Sequence, residues 1–279
     1  MNAARKTSIL IRDIDSTAEM HAVEELQREV WGVPDLEVVP LSQLVAAQTS
    51  GGVLVGAFDR GEMVGFVYGF VGLERGEMVH HSHMLAVRSG YRSHDLGFRL
   101  KGAQRQRVLA QGITTMTWTF DPLQSLNAYF NFTKLGVVSD QYFVNFYGDE
   151  AASFLHRNGT DRLWVTWVLA SSRVVERMDR TVTVNVPADL PRLVWIDETD
   201  RPICNDGDEG LSGDKTLIEI PADIKGLEVR EDRLAYQWRA ATRWAFTEAL
   251  AAGYMVEDFY RSSRNGQPLG IYILTRNDR

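Results

Sequence analysis

Histidines on one strand and a polar turn after it are the residues of this 279-residue chain whose types and spacing point to chemistry. Strand alternation places His81 and His83 on one face and His80 on the other. A histidine in such a position can act as a general base. Alternatively, these side chains only fill polar positions of a sheet. Two histidines could also begin a zinc site, but the sequence offers no evident third ligand.

The polar turn after this strand leads into a basic helix. It contains Arg92, and Gly97 lies where the helix begins. A strand, a turn and a helix in this order direct unsatisfied backbone N–H groups and the positive end of the helix dipole at one place. The turn is therefore a candidate site for phosphate or pyrophosphate, although many such units bind nothing.

The surrounding pattern predicts the elements that must position these residues. Apolar spacing predicts a helix over 17–30, and the apolar runs 52–58 and 63–70 around a short polar loop predict an antiparallel hairpin. The first half is completed by predicted strands at 78–87, 113–120, 141–147 and 162–169, and by helices at 96–111 and from Pro122 to Gly136.

The pattern changes from Ser171 onward. We expect short strands at 181–186 and 190–196, a helix at 231–253, and strands at 255–260 and 269–275. The acidic run 197–214 is typical of a solvated loop and does not match the calcium-loop pattern. These observations divide the chain into a first domain, 1–172, and a smaller α+β extension, 173–279.

The composition excludes several classes of protein. The chain is 44% apolar and 24% charged, which excludes disordered and collagen-like classes. A net charge of −7 argues against nucleic acid as a partner, and no apolar stretch approaches the roughly 20 residues of a membrane span. Cys204 stands alone, so no intramolecular disulfide can form. The N-terminal residues become charged too early for a signal peptide, and we expect a cytoplasmic protein.

The residues around the turn resemble motif A of the GNAT superfamily of acyl-CoA-dependent N-acyltransferases. The match consists of Val87, Tyr91, Arg92, Leu96, Gly97 and Leu100, and the segment 127–137 is similar to the family's helix after the fifth strand. The resemblance covers roughly residues 8–170. It implies an α/β fold of mixed α+β character, with a mixed and mostly antiparallel sheet that is flanked by helices and splayed between its fourth and fifth strands.

The resemblance also implies how acyl-CoA would bind as co-substrate, without a metal. The pantetheine arm would pair with the fourth strand, and the pyrophosphate would lie on the N–H groups of the turn. The residues implied are Leu85, Ala86, Val87, Arg92, Ser93, His94, Asp95, Leu96, Gly97 and Phe98, with Asn127 as a further contact. An amine would then attack the thioester directly, which requires proximity, a base and donors for the oxyanion.

The candidate catalytic residues are His81, His83, Asp121 and Tyr129. Asp121 could bind the substrate ammonium or accept its proton. Its position before Pro122 is also typical of a helix N-cap, and this is the interpretation that we favour.

Two positions depart from the family pattern. Asp95 replaces the first glycine of the motif; its carboxylate would repel a pyrophosphate, and its Cβ resists a positive φ. Phe132 stands where many members have a tyrosine that protonates the leaving thiolate. Tyr129, three residues earlier, could replace that tyrosine only if the helix is rotated or shifted.

The sequence therefore predicts an N-acyltransferase that transfers an acetyl or succinyl group to a small-molecule amine such as an amino acid. One alternative is a GNAT-like protein that has lost catalysis and serves as a ligand-binding or scaffold protein. Another is acylation of protein lysines. The extension could close over the acceptor side, complete a homodimer, or both.

Overall fold

The computed structural model describes residues 9–148, 158–181 and 190–276. The chain divides into two units, Met1–Trp118 and Thr119–Arg279. The boundary predicted after residue 172 falls inside the second unit, and it remains a prediction about where the family-like part of the sequence ends.

The first unit is a mixed sheet with helices packed on it. Its elements are β1 (Leu10–Asp13), α1 (Thr17–Trp31), α2 (Leu41–Thr49), β2 (Val53–Asp59), β3 (Glu62–Glu74), β4 (Glu77–Val87), α3 (Leu96–Ala110) and β5 (Thr115–Phe120), whose last two residues belong to the second unit. The strands β1 to β4 pair in sequence order and antiparallel, and β5 pairs with β4 in parallel. The predicted hairpin and the mixed, mostly antiparallel sheet are confirmed.

Local sequence explains the ends of these elements. The Ser16 side chain accepts the N–H of Glu19 at the start of α1, and Gly32 ends that helix at a φ of 64°. The hairpin turn between β2 and β3 has Arg60 at a φ of 53° and Gly61 at 88°. Two successive positive φ values match the right-handed twist of the flanking strands, so this turn closes the hairpin tightly.

Alternation along β3 assigns the helices to the two faces of the sheet. Phe66 and Tyr68 are buried in one core cluster with residues of α1 and α2. A Cβ at Gly65 would lie 3.4 Å from Leu100 of α3, and one at Gly69 would lie 2.9 Å from Gln104 of the same helix. Helices α1 and α2 therefore cover one face, and α3 covers the other.

In the described part of the chain, the strands of the second unit pair mostly antiparallel. Its elements are α4 (Ser125–Ala128), a π-helix (Tyr129–Leu135), β6 (Val138–Phe143), β7 (Arg162–Val168), α5 (Ser172–Met178), β8 (Arg192–Ile196), β9 (Pro202–Cys204), β10 (Lys215–Pro221), α6 (Ile224–Arg230), α7 (Asp232–Ala251), β11 (Tyr254–Arg264) and β12 (Gln267–Arg276). The strand order is β7-β6-β11-β12-β10-β8-β9, and β8 and β10 pair in parallel.

Tyr272 lies at the centre of this unit's core. Its ring packs at 5.8 Å from Phe132, 5.1 Å from Phe246 and 4.6 Å from Phe259, measured between ring centroids. Its hydroxyl donates to the carbonyl of Pro122 at 2.6 Å. The strand that carries Tyr272 thus packs directly on residues of the family-like segment.

Several predicted elements differ from those observed. The sequence pattern missed β1, α2, β10, α5 and α6. The acidic run is not a plain loop, since it contains β9 and a 3-10 helix, Asp208–Leu211, and the Asp197 carboxylate accepts the N–H of Arg201. The strand predicted at 181–186 lies outside the described residues except for Thr181. No helix among the described residues is long and apolar enough to cross a membrane.

Candidate active site

The strands β4 and β5 separate soon after they meet. They pair at only two positions, His80 with Met116 and His81 with Thr117. No residue from Ser82 to Val87 of β4 pairs with β5, although Ser82 and the residues from Met84 to Val87 keep partners on β3. We call Ser82 and Trp118, the first residues past the last pair, the splay point. The predicted splay is confirmed, and it leaves one edge of β4 able to pair with an extended ligand.

A β-bulge lies beside the splay point. Tyr68 pairs with Met84 and Gly69 pairs with Ser82, so His83 has no partner on β3. The backbone approach is so close here that a Cβ at Gly69 would lie 2.6 Å from the carbonyl oxygen of His81. Bulges of this kind change the direction of a side chain, and they recur next to active sites.

Two of the three histidines lie together on the face that α1 and α2 cover. The ring of Phe70 packs at 5.4 Å from His81 and 5.8 Å from His83, and Tyr68 lies 6.1 Å from His83. His83 is exposed, whereas His81 is partly buried and its Nδ1 lies 3.3 Å from Thr117 Oγ1. The placement of these two rings follows the alternation predicted from the sequence.

Burial lowers the pKa of both rings. It lowers the pKa of His81 to about 4, and the neighbouring His83 and Lys101 lower it further in the same direction. His81 is therefore neutral at physiological pH and a weak acceptor for an ammonium proton. Its contact with Thr117 joins β4 to β5 at the last pair. His83, exposed on the bulge, is the better placed base.

A shallow cavity of about 260 Å³ adjoins the histidines on this face. It shares Phe70 with them and is otherwise lined by small or uncharged side chains: Gln43, Ala46, Ala47, Ser50 and Val71. A ligand in this cavity would meet an aromatic ring, a few methyl groups, an amide and a hydroxyl.

The opposite face of the splay point carries a buried polar chain that the sequence pattern missed. Lys101 of α3 donates to Ser82 Oγ at 2.7 Å, and its Nζ lies 3.6 Å from the ring centroid of Trp118. Ser82 in turn donates to Gln104 Oε1 at 2.8 Å, and Gln104 Nε2 lies 3.3 Å from His80 Nε2. The available signal was the helical spacing of Lys101, Gln104 and the buried Val108.

Burial sets the protonation of this chain. It lowers the pKa of Lys101 well below its usual value and, with a contribution from Lys101, lowers that of His80 to about 4. No carboxylate of the described chain offsets the desolvation of Lys101.

The turn between β4 and α3 is anchored on one side and exposed on the other. The N–H of Arg88 donates to Val64, its guanidinium pairs with Glu29 and Glu62, and the Tyr91 hydroxyl donates to Asp59 at 2.8 Å. Arg92 is exposed and follows these anchors. No side chain caps α3 and no acidic residue lies in its first turn, so its N-terminal N–H groups remain suited to an anion.

Asp95 immediately precedes α3 and adopts a φ of 54° and a ψ of 26°. The left-handed conformation that a glycine would supply is thus present despite the Cβ, because Asp is one of the few side chains that tolerate it. The backbones of Ser93, His94 and Asp95 and of Leu96, Gly97 and Phe98 form the turn and the start of the helix; of Ser93 only the backbone is described.

Among the candidate catalytic residues in the second unit, Asp121 makes contacts that stabilise the fold. Its Oδ1 accepts the N–H of Leu123 at 3.0 Å and pairs with the buried Arg239 at 2.8 Å. It is not an N-cap, since α4 begins after Gln124. Its contacts are those of a carboxylate that holds a turn against α7.

The other candidates of this unit, Tyr129 and Asn127, lie in the π-helix and just before it. Tyr129 is its first residue and is partly exposed, whereas Phe132 is fully buried against Phe120 and Tyr272. Asn127 is exposed on α4. A π-helix bonds each residue five positions along instead of four, and such a segment rotates the side chains relative to an α-helix. This is the kind of shift that a role for Tyr129 requires.

Within the described residues, no group of three His, Cys, Asp or Glu side chains is arranged to hold a metal ion. Cys204 is exposed on β9. The fold and the site together are a mixed sheet that is splayed between a bulged strand and its parallel neighbour, followed by an uncapped helix whose N-terminus is a candidate anion site.

Comparisons with known proteins were made by sequence and by structure. No protein-family model matches the chain, and no curated protein matches it. The solved structures that it is similar to include GNAT acetyltransferases. An aminoglycoside 6'-acetyltransferase type Ii is 20% identical, with a TM-score of 0.47 over 58% of this chain and 98% of that chain.

Two further structures give similar values. The ribosomal-protein-S18-alanine N-acetyltransferase from Escherichia coli is 13% identical, with a TM-score of 0.47 over 59% of this chain and 96% of its own. A GNAT family acetyltransferase from Elizabethkingia anophelis, with acetyl-CoA bound, is 16% identical, with a TM-score of 0.46 over 58% and 99%. At these identities and scores, activity has to be argued from the chain's own residues.

Proposed function

We propose that this protein is an acyl-CoA-dependent N-acyltransferase of the GNAT type that acylates a small-molecule amine. One observation carries the proposal: β4 has no β5 partner from Ser82 to Val87, has a bulge at His83, and is joined to the uncapped α3 by a short 3-10 helix, Ser89–His94. An extended pantetheine arm can pair with Leu85, Ala86 and Val87 and reach the turn with its pyrophosphate.

The residues of the turn fit a pyrophosphate in most respects. Arg92 is exposed beside it, and the N–H groups of residues 95–98 lie at the positive end of the α3 dipole. Asp95 opposes the fit with its negative charge. That opposition is the observation that favours the second candidate, a GNAT-like protein that binds a ligand without catalysis.

The reaction we assign is direct attack on the thioester. His83 accepts the proton of the incoming ammonium, and the neutral amine nitrogen bonds to the acyl carbon. The nitrogen then releases a second proton to water, and the carbon–sulfur bond breaks to give an amide and a thiolate. His81 orients the strands through Thr117 without changing its own charge, since its pKa lies near 4. Proximity on the β4 edge supplies the remainder of the acceleration.

The cavity beside Phe70 favours a small acceptor whose side chain is uncharged. Its lining holds no carboxylate and no cationic side chain. A polycation would find no counter-charge there, whereas an amino acid with an apolar side chain would find contacts of suitable kind. Acetyl and succinyl both remain candidates for the acyl group.

Calorimetric titration with coenzyme A, acetyl-CoA and succinyl-CoA tests the proposal. We expect saturable binding of at least one thioester, and release of free thiol when an amino acid is added. An absence of binding at millimolar thioester would refute the proposal. Binding without thiol release for any amino acid, amine or peptide would favour the non-catalytic candidate, and release with peptides alone would favour lysine acylation of proteins.

A further inference from the structure

Lys101 is the most unusual titratable residue of the first unit. It is 3% exposed, and its ammonium would have only a serine hydroxyl and the face of an indole as partners. Burying a charge without a counter-ion costs several kcal/mol, so natural cores rarely contain such a lysine. A leucine or methionine would fill the same space on α3 without this cost.

The position of the amine is specific. Both of its partners are the residues of the splay point, Ser82 on β4 and Trp118 on β5. Ser82 directly precedes the bulge residue His83. The amine of Lys101 therefore lies where the two strands part, at the inner end of the β4 edge to which we assign the thioester arm.

The groups that face this amine provide no anion. They are His80 on β4, Gln104 on α3 and Trp118 on β5, with His81 nearby on the other face of β4, and both histidines are neutral at physiological pH. The splay point thus holds a proton donor and potential cation with no negative partner of its own. A reaction that produces an anion there would supply the missing partner.

We propose that Lys101 donates the proton that the departing coenzyme A thiolate takes up, an inference that rests on the proposed function. As the carbon–sulfur bond breaks, its electron pair moves to sulfur, and a proton passes from the Lys101 ammonium to that sulfur. The neutral amine keeps its hydrogen bond to Ser82, and water returns the proton when the free thiol leaves.

Two physical arguments support this assignment. A thiolate forms an ion pair with an ammonium most strongly where water is excluded, and the splay point is buried. Burial also lowers the pKa of Lys101 well below its usual value, so its ammonium gives up a proton to a thiolate more readily than that of an exposed lysine would.

The test compares Lys101→Met with Lys225→Met. Methionine has a similar length and suits a buried position, and Lys225 is an exposed lysine of α6 that controls for loss of a positive charge. The first readout is the ultraviolet absorbance of bound coenzyme A thiolate as a function of pH, which does not require turnover. The second is kcat with acetyl-CoA and with an activated aryl thioester, whose thiolate leaves without a proton.

We expect bound coenzyme A in the wild type to ionise at a lower pH than the free thiol, and Lys101→Met to abolish that difference. With acetyl-CoA, kcat should fall by about 100-fold in Lys101→Met, while the aryl thioester should lose less than about threefold. Lys225→Met should match the wild type in both readouts.

The outcomes separate the two proposals. If no coenzyme A binds to the wild type, the proposed function itself fails. If coenzyme A binds and amines are acylated, but Lys101→Met changes neither thiol ionisation nor the dependence on leaving group, the role of Lys101 is overturned alone. Should Lys101→Met fail to fold, the wild-type titration still decides, since an unshifted thiol pKa contradicts the inference.

Discussion

At the scale of single residues, Asp95 brings together two requirements that conflict. Its backbone supplies the left-handed conformation that the turn needs, and its side chain places a negative charge at the start of α3. Asn tolerates the same conformation without the charge. The pair Asp95→Asn and Asp95→Gly therefore separates electrostatics from backbone freedom.

We expect Asp95→Asn to tighten coenzyme A binding by about fivefold, which corresponds to the roughly 1 kcal/mol that a charge near a helix terminus contributes. Asp95→Gly should give a similar gain if charge dominates. Isothermal calorimetry measures both. Asp200 is a second left-handed aspartate, at a φ of 64°, and Asp200→Asn is the matched control. Unchanged or weaker binding in Asp95→Asn would contradict the electrostatic argument.

His83 is the residue whose loss should change the pH profile of catalysis. His83→Gln is expected to lower kcat by about 100-fold and to remove the limb of the kcat/KM profile that reports the base. His81→Gln should leave that limb in place, because a pKa near 4 lies below the assay range. The exposed His21 of α1 provides the control, His21→Gln. An identical profile for His83→Gln and wild type would exclude His83 as the base.

The turn and the paired histidines could be predicted from the sequence, because strand alternation and motif spacing are local properties of the chain. Lys101 was missed since a lysine on a helix is ordinarily solvated, and only tertiary packing buries this one. Asp121 was wrongly placed as a helix cap, because its partner Arg239 lies 118 residues away in sequence.

At the scale of elements, the bulge on β4 depends on the close approach of β3. A methyl group at Gly69 would lie 2.6 Å from the His81 carbonyl, whereas one at Gly72 on the same strand would meet only a Val79 methyl at 3.7 Å. We expect Gly69→Ala to lower the free energy of unfolding by about 2 kcal/mol or more, and Gly72→Ala to change it by less than about 0.5 kcal/mol.

Urea denaturation of the two alanine variants measures this difference. Gly69→Ala should also reduce coenzyme A affinity, because the strand must shift at the splay point to relieve the contact. Equal stability of the two variants would show that β4 accommodates the methyl group and that the bulge does not require Gly69.

The elements that define the site differ in how far sequence determines them. The hairpin and α3 follow from local signals such as the Arg60–Gly61 turn and the helical spacing of 96–111. The bulge and the π-helix do not, since a bulge is a property of register between two strands and a π-helix depends on outside partners. Here the Trp167 indole donates to Leu135 at 2.7 Å and Arg177 donates to Thr133 at 3.2 Å.

At the scale of the whole molecule, the buried histidines should make the free energy of unfolding depend on pH. His80 and His81 have a pKa of about 4 in the fold, against roughly 6.5 in an unfolded chain. The unfolded chain therefore binds more protons between these values, and stability that is complete above pH 6.5 falls as pH decreases toward 4.

For the fully buried His80 this linkage is on the order of 3 kcal/mol. We expect the wild type to lose stability steeply over this interval, and His80→Gln to lose less, as measured by urea denaturation at successive pH values. His21→Gln should follow the wild-type curve. Parallel curves for His80→Gln and wild type would contradict a depressed pKa in the fold.

Composition and charge bounded the class of protein but not its division into units. The change of pattern near Ser171 is visible in the sequence because the motifs stop there. The compact units divide at Trp118, since packing follows contacts such as Tyr272 with Phe132, which are not visible in local composition. The boundary predicted after residue 172 stays a prediction.

The central place of Tyr272 has a consequence for the order of events during synthesis. Every described strand pair of the first unit is complete once the ribosome has passed Thr117, but the core of the second unit cannot close before residue 272 has been made. At the usual rate of synthesis, about 150 residues separate the two by roughly 10 to 30 s. During that time the apolar surface of the π-helix segment lacks Tyr272 and the other residues that cover it, so it is exposed to binding by chaperones.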